Sequence, residues 1–153
     1  MALKPLLMLV FVAVMTLMSV AEAQNTVGIV HVNRTLYCSA DGSPGPNGTA
    51  TPPVFSNATL QVVCSNDVLF NSPSNATSNG NGVYLVVLLP RPSSSIVASI
   101  VSNCRLFVLT PLSTCNPTLP SAALVSNLRY VRSVQVGFAW ITYMAATGFT
   151  IQA

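Results

Sequence analysis

Few residues in this chain could do acid–base chemistry. Residues 24–153 hold one histidine, His31, and two aspartates, Asp41 and Asp67, with no glutamate and no lysine. General acid–base catalysis draws on His, Asp, Glu, Lys, Tyr or Cys in a tuned setting. A Ser-His-Asp triad would have to combine His31 with Asp41 or Asp67, and the sequence has no Gly-x-Ser-x-Gly elbow. A paired-carboxylate glycosidase needs both acids in one cleft. Here they sit in separate turn-like contexts, Ala40-Asp41-Gly42 and Asn66-Asp67. The expectation is a protein that is not an enzyme, with no catalytic residues, no cofactor and no metal. The cations of this region, Arg34, Arg91, Arg105, Arg129 and Arg132, are scattered. They lack the clustering of a nucleic-acid footprint, so no nucleic-acid partner is expected.

Cys38, Cys64, Cys104 and Cys115 are the other reactive groups. There is no Cys-x-x-Cys pair, and a single histidine cannot complete the usual zinc sets. An even cysteine count behind a secretory leader reads as a disulfide framework, and four cysteines allow three pairings. Asn33-Arg34-Thr35, Asn47-Gly48-Thr49, Asn57-Ala58-Thr59 and Asn75-Ala76-Thr77 are glycosylation sequons, whereas Pro117 blocks Asn116-Pro117-Thr118. Asn47 and Asn75 fall in Pro/Gly/Ser/Asn-rich segments and rank first as acceptors. Asn57, just before a strand, comes next. Asn33, inside a strand pattern, ranks last.

The leader itself is residues 1–23. Lys4 precedes an apolar run, Leu6–Val20, and Ala21-Glu22-Ala23 supplies a small-x-small cleavage pattern. The run is shorter than the ~20 residues of a membrane-spanning helix, and nothing later in the chain is long and apolar enough to span. The expectation is cleavage after Ala23, secretion to the extracellular space, and a single domain over residues 24–153. Hydrophobic residues make up 51% of the chain and charged residues 6%. Soluble proteins carry about 25% charged residues, so the surface is sparsely charged, with a net charge of +3 over residues 24–153. Glycans would supply hydration that charge does not.

The elements that must position these groups are short strands. Val27–Cys38 reads as a first strand or strand pair, Asp41–Pro53 as a loop, and Thr59–Cys64 as a strand. Asn71–Gly82 reads as a loop closing in Asn79-Gly80-Asn81-Gly82, a hairpin signal. The continuous apolar run Val83–Leu89 reads as a strand buried on both faces. Ile96, Val97, Ile100 and Val101 recur at helical spacing behind serines that can cap, which predicts one short helix in 93–103. Leu106–Leu109, one or two strands in Val131–Tyr143, and Phe149–Gln152 complete the set. Many short strands with frequent turn signals predict a mainly β fold, a β-barrel or β-sandwich.

Ordered blocks carry a family resemblance. They are Leu36-Tyr37-Cys38-Ser39, Phe55–Cys64, Thr77–Tyr84 and Ser102-Asn103-Cys104. Thr110-Pro111-Leu112-Ser113-Thr114-Cys115-Asn116, Leu119-Pro120-Ser121 and Thr147-Gly148-Phe149 follow. Together they resemble the phylloplanin-like secreted plant proteins, within the broader pollen-allergen/extensin domain family. The resemblance implies a disulfide-linked β-barrel or β-sandwich with the pairing Cys38–Cys115 and Cys64–Cys104. It brings no catalytic residues. It implies a plant-surface defence protein that inhibits fungal or oomycete spore germination through a microbial target. The broader family implies an alternative, a cell-wall glycoprotein that binds wall polysaccharide or extensin-type glycoproteins. Such a module needs an aromatic or basic face. Tyr130-Val131-Arg132 and Trp140-Ile141-Thr142-Tyr143 are the candidates, although aromatics at strand spacing are more often core. A cationic amphipathic stretch of the lytic kind is absent.

Overall fold

The computed structural model describes residues 28–46, 48, 50–92 and 97–152. The leader 1–23, Asn47 and the capping serines Ser93–Ser95 lie outside the described residues. Eight strands form one sheet: β1 Ile29–Thr35, β2 Thr59–Cys64, β3 Ser74–Thr77, β4 Val83–Leu88, β5 Cys104–Val108, β6 Leu124–Val136, β7 Ala139–Ala146 and β8 Thr150–Ile151. The strand order is β3-β2-β5-β6-β7-β1-β4, with β8 paired to the start of β6. All ladders are antiparallel except β1 on β7.

The sheet curls until its two ends, β3 and β4, nearly meet, so the architecture is a barrel rather than a sandwich. Side chains bridge the remaining seam. The Ser74 hydroxyl and the Asn71 amide both donate to the Val87 carbonyl at 2.9 Å, and Asn71 Oδ1 accepts from the Leu89 N–H at 2.9 Å. Phe70 N–H donates to the Leu89 carbonyl and Arg91 N–H to the Val68 carbonyl, both at 2.8 Å. These bonds satisfy groups that an open sheet edge leaves unpaired.

Strand periodicity fills the interior. Val30 and Val32 of β1, Leu60 and Val62 of β2, Tyr84, Val86 and Leu88 of β4, and Leu106 and Val108 of β5 point inward and are buried. Each such aliphatic side chain contributes about 1.5–3 kcal/mol on leaving water. Between β4 and β5 lies the helix α1, Val97–Asn103, which buries Ile100 against this core. These residues fall within the 93–103 window read from the sequence.

Three expectations change. Asn71–Gly82 is not all loop: Ser74–Thr77 forms β3, paired to β2 from Thr59↔Thr77 to Val62↔Ser74. Asn75 therefore sits on a strand. The Asn79–Gly82 turn is present, with Gly82 N–H donating to the Asn79 carbonyl. Its flanking strands β3 and β4 face each other across the seam without forming a ladder. Finally, β4 is not buried on both faces. Val83 and Leu85 alternate with Tyr84 and Val86 and are exposed.

Two disulfides tie the barrel. Cys64 and Cys104 are direct partners across β2 and β5 and are bonded, 40 residues apart in sequence. Cys38, just after β1, is bonded to Cys115 at the end of the 3-10 turn Leu112–Thr114, 77 residues away.

Candidate functional site

A cleft of ≈ 470 Å³ opens at the end of the barrel where β1 and β7 hand over to loops. β1 brings Arg34 and β6 brings Arg129. The loop after β1 adds Tyr37 and Asp41, β4 adds Tyr84, and the turn from β7 to β8 adds Gly148 and Phe149. Local backbone chemistry shapes the rim. Tyr37 N–H donates to the Gly42 carbonyl at 3.0 Å, folding the loop back on itself. Gly42 has φ +69, and a Cβ there would lie 2.8 Å from the Phe149 ring. A side chain would therefore be strained by backbone and neighbour alike. Phe149 forms a buried wall.

The charges in this cleft are not neutralised by ion pairs. Among the described residues neither Arg34 nor Arg129 forms a salt bridge, and both are exposed. The Asp41 carboxylate is committed to its own loop. It accepts from Ser43 N–H at 3.1 Å and from the Ser39 hydroxyl at 3.0 Å. The Ser43 N–H foremost holds its pKa below the ordinary value.

Tyr84 is the buried polar group of the cleft, only 2% exposed. Its phenol has no hydrogen-bond partner among the described residues. Burial pushes its pKa up to about 12 from 10.0, with the Arg34 charge opposing. An unfolded tyrosine ionises near 10. Between pH 10 and about 12 the unfolded chain therefore binds fewer protons than the folded one, and stability falls as pH rises through that window. Spectrophotometric titration of the phenolates is expected to show one late tyrosine near 12. Tyr84→Phe removes that late step and flattens the stability profile above pH 10. A phenolate count complete by pH 11 would contradict this placement.

The aromatic candidates lie elsewhere, on and around the outer surface of β1, β6 and β7. Tyr143 and Trp140 are half-buried and Tyr130 is exposed, so none is core. The Arg132 guanidinium lies 4.9 Å from the Tyr143 ring centroid, and His31 meets the same ring edge-on at 5.7 Å. The face of Tyr143 is thus already partly covered by its own neighbours. The Tyr130 hydroxyl donates to the Ser133 hydroxyl at 3.2 Å. His31 and Asp41 are engaged separately: the His31 ring meets Tyr143, whereas Asp41 bonds Ser39 and Ser43.

Around these rings the surface is apolar. Ile29, Val83, Leu85, Val134 and Val136 are exposed, and Phe138 stands fully exposed at the tip of the β6–β7 hairpin. Gly137, with φ 62, supplies the turn. A positive φ at the first loop position is what a type II′ hairpin uses.

Of the sequons, Asn33 is exposed on β1, Asn57 is exposed in a turn with φ 56, and Asn75 is exposed on β3. Asn47 lies outside the described residues. The cleft has no pattern in the sequence: its residues come from four separated segments, and only the paired β1 and β4 positions Arg34↔Tyr84 are ladder neighbours.

Fold and surface define a class: a small β-barrel, cross-linked by two disulfides, with an apolar outer face. Comparison with known proteins makes the class specific. The family model described as "Phylloplanin antifungal protein" matches residues 26–153. A phylloplanin of Nicotiana tabacum is 34% identical over 124 residues, covering 79% of this chain and 75% of its own length. The chain belongs to the phylloplanin family. No solved structure matches it.

Proposed function

We propose that this protein is a secreted, non-enzymatic plant defence factor that inhibits germination of fungal and oomycete spores at the plant surface. The family match across residues 26–153, whose description names an antifungal protein, is the observation that carries this reading. Three features support it. The disulfide-tied barrel suits an oxidising, exposed environment. The outer face bearing Ile29, Leu85, Val134 and Phe138 combines low charge with exposed apolar area, which suits residence at an apolar, cuticle-like surface. No helix among the described residues is long and apolar enough to cross a membrane.

The experiment is a germination assay. Purified oxidised protein is added to spores over its soluble range, and the same material is passed over immobilised wall polysaccharides. Dose-dependent arrest of germination is expected. Unimpaired germination together with saturable polysaccharide retention would overturn the defence reading in favour of the wall-glycoprotein alternative.

A further inference from the structure

We infer that the barrel-end cleft is a binding site for a small carboxylate carried on a planar aromatic body. The inference does not depend on the antifungal reading and could hold without it.

Charge selects the anion. Two guanidiniums, Arg34 and Arg129, line the cleft without an ion-pair partner among the described residues. The one carboxylate beside them, Asp41, already accepts two hydrogen bonds from its own loop. The cleft therefore keeps a positive excess, and guanidinium is the side chain best matched to a carboxylate, through paired parallel N–H donors.

A buried donor points the same way. Tyr84 is nine-tenths and more buried, lines the cleft and has no hydrogen-bond partner among the described residues. Among the described residues the buried side-chain atom left without a partner is Arg91 Nε, so the Tyr84 hydroxyl still reaches the solvent of the cleft and can be offered to a ligand there. A ligand oxygen in the cleft would accept from it. Tyr84 sits directly across the ladder from Arg34, so the donor and a cation are offered to one ligand.

Shape selects the body. Phe149 and Tyr37 add aromatic walls, against which a planar ring packs in offset or edge-on geometry. The volume of ≈ 470 Å³ falls within the range of small-molecule sites. Such a cleft is roomy for one or two rings and short for a long extended chain.

The test uses the oxidised protein and 2-naphthoate as probe, followed by the probe's fluorescence and by calorimetry. Two comparison ligands divide the claim: 2-naphthalenemethanol, which keeps the rings and lacks the charge, and galacturonate, which keeps the carboxylate and lacks the rings. Saturable naphthoate binding is expected, with each comparison ligand at least tenfold weaker. Arg129→Gln, at an exposed strand position, is expected to weaken naphthoate at least tenfold with unchanged thermal unfolding. Tyr84→Phe should weaken it several-fold and leave 2-naphthalenemethanol unaffected. Equal binding of naphthoate and the alcohol would overturn the anion site. Tighter galacturonate would overturn the aromatic selection. Naphthoate affinity unmoved by Arg129→Gln, or no saturation at millimolar probe, would overturn the site itself.

Discussion

Replacing Cys38 and Cys115 together by alanine is expected to lower stability by about 4 kcal/mol. For a domain of this size that is a fall in melting temperature of about 12–16 °C. The bridge closes a sequence separation of 77 residues, and the chain-entropy cost of a closed loop rises with the logarithm of its length. It also fastens two segments that no strand ladder joins. One is the loop after β1, which builds the cleft rim. The other is the 3-10 turn that buries Leu112. Loss of Cys64–Cys104 should cost less. Its separation is 40 residues, and its two strands stay hydrogen-bonded from Leu60↔Val108 through Cys64↔Cys104. Urea unfolding of the two double variants beside the parent checks the order. A change below about 1 kcal/mol for the Cys38/Cys115 variant would contradict the role given to that bridge.

Gly82→Ala carries the second large effect, a loss of about 3 kcal/mol. Gly82 has φ +75, and a Cβ there would lie 2.7 Å from Val54 Cβ and 2.8 Å from the Leu36 carbonyl oxygen. The left-handed backbone costs an L-residue about 1–2 kcal/mol. Overpacking against backbone adds about 1–3 kcal/mol. The neighbours have little room to give, because the Gly82 carbonyl accepts from Leu36 N–H at 2.8 Å and the Leu36 carbonyl accepts from Phe55 N–H at 2.8 Å. Gly80 is the internal control. It lies two residues away in the same turn, and a Cβ there would meet nothing within 4 Å. Gly80→Ala should therefore stay within about 0.5 kcal/mol of the parent. Equal unfolding midpoints for the two variants would show that the turn does not pack as described.

Apolar alternation made much of the barrel legible in the sequence. Thr59–Cys64 was readable to its last residue, because Leu60 and Val62 alternate with Gln61 between a turn and a cysteine. β3 was hidden for the opposite reason. Ser74-Asn75-Ala76-Thr77 carries no large apolar residue, and it becomes a strand only because β2 offers an edge and Ser74 can bond across the seam. β4 misled through excess: an unbroken Val/Leu run hides which residues face outward. Its exposed half is visible only once His31 and Asn33 of β1 are seen paired with Val87 and Leu85. The family blocks, with their four ordered cysteines, implied the disulfide-linked fold. The cleft left no local trace, since Arg34, Asp41, Tyr84, Arg129 and Phe149 are far apart in sequence and meet only through the pairing order β6-β7-β1-β4 and the loops at that end of the sheet. The aromatic pair Trp140 and Tyr143 could be seen in the sequence, but not the Arg132 guanidinium that lies over one of its rings.

The folded barrel, rather than a linear stretch of it, is the active species if the proposed function holds. The most direct measurement is spore germination scored against concentration for four samples side by side. These are the oxidised protein, the same protein reduced and alkylated, Gly80→Ala and Gly82→Ala, all assayed at a temperature where, of the three oxidised samples, only Gly82→Ala has begun to unfold. The oxidised protein and Gly80→Ala are predicted to arrest germination with superimposable curves. The reduced chain should lose the effect, and Gly82→Ala should lose it in proportion to its unfolded fraction. Full activity in the reduced, alkylated chain, or no arrest by the oxidised protein at any soluble concentration, would contradict this.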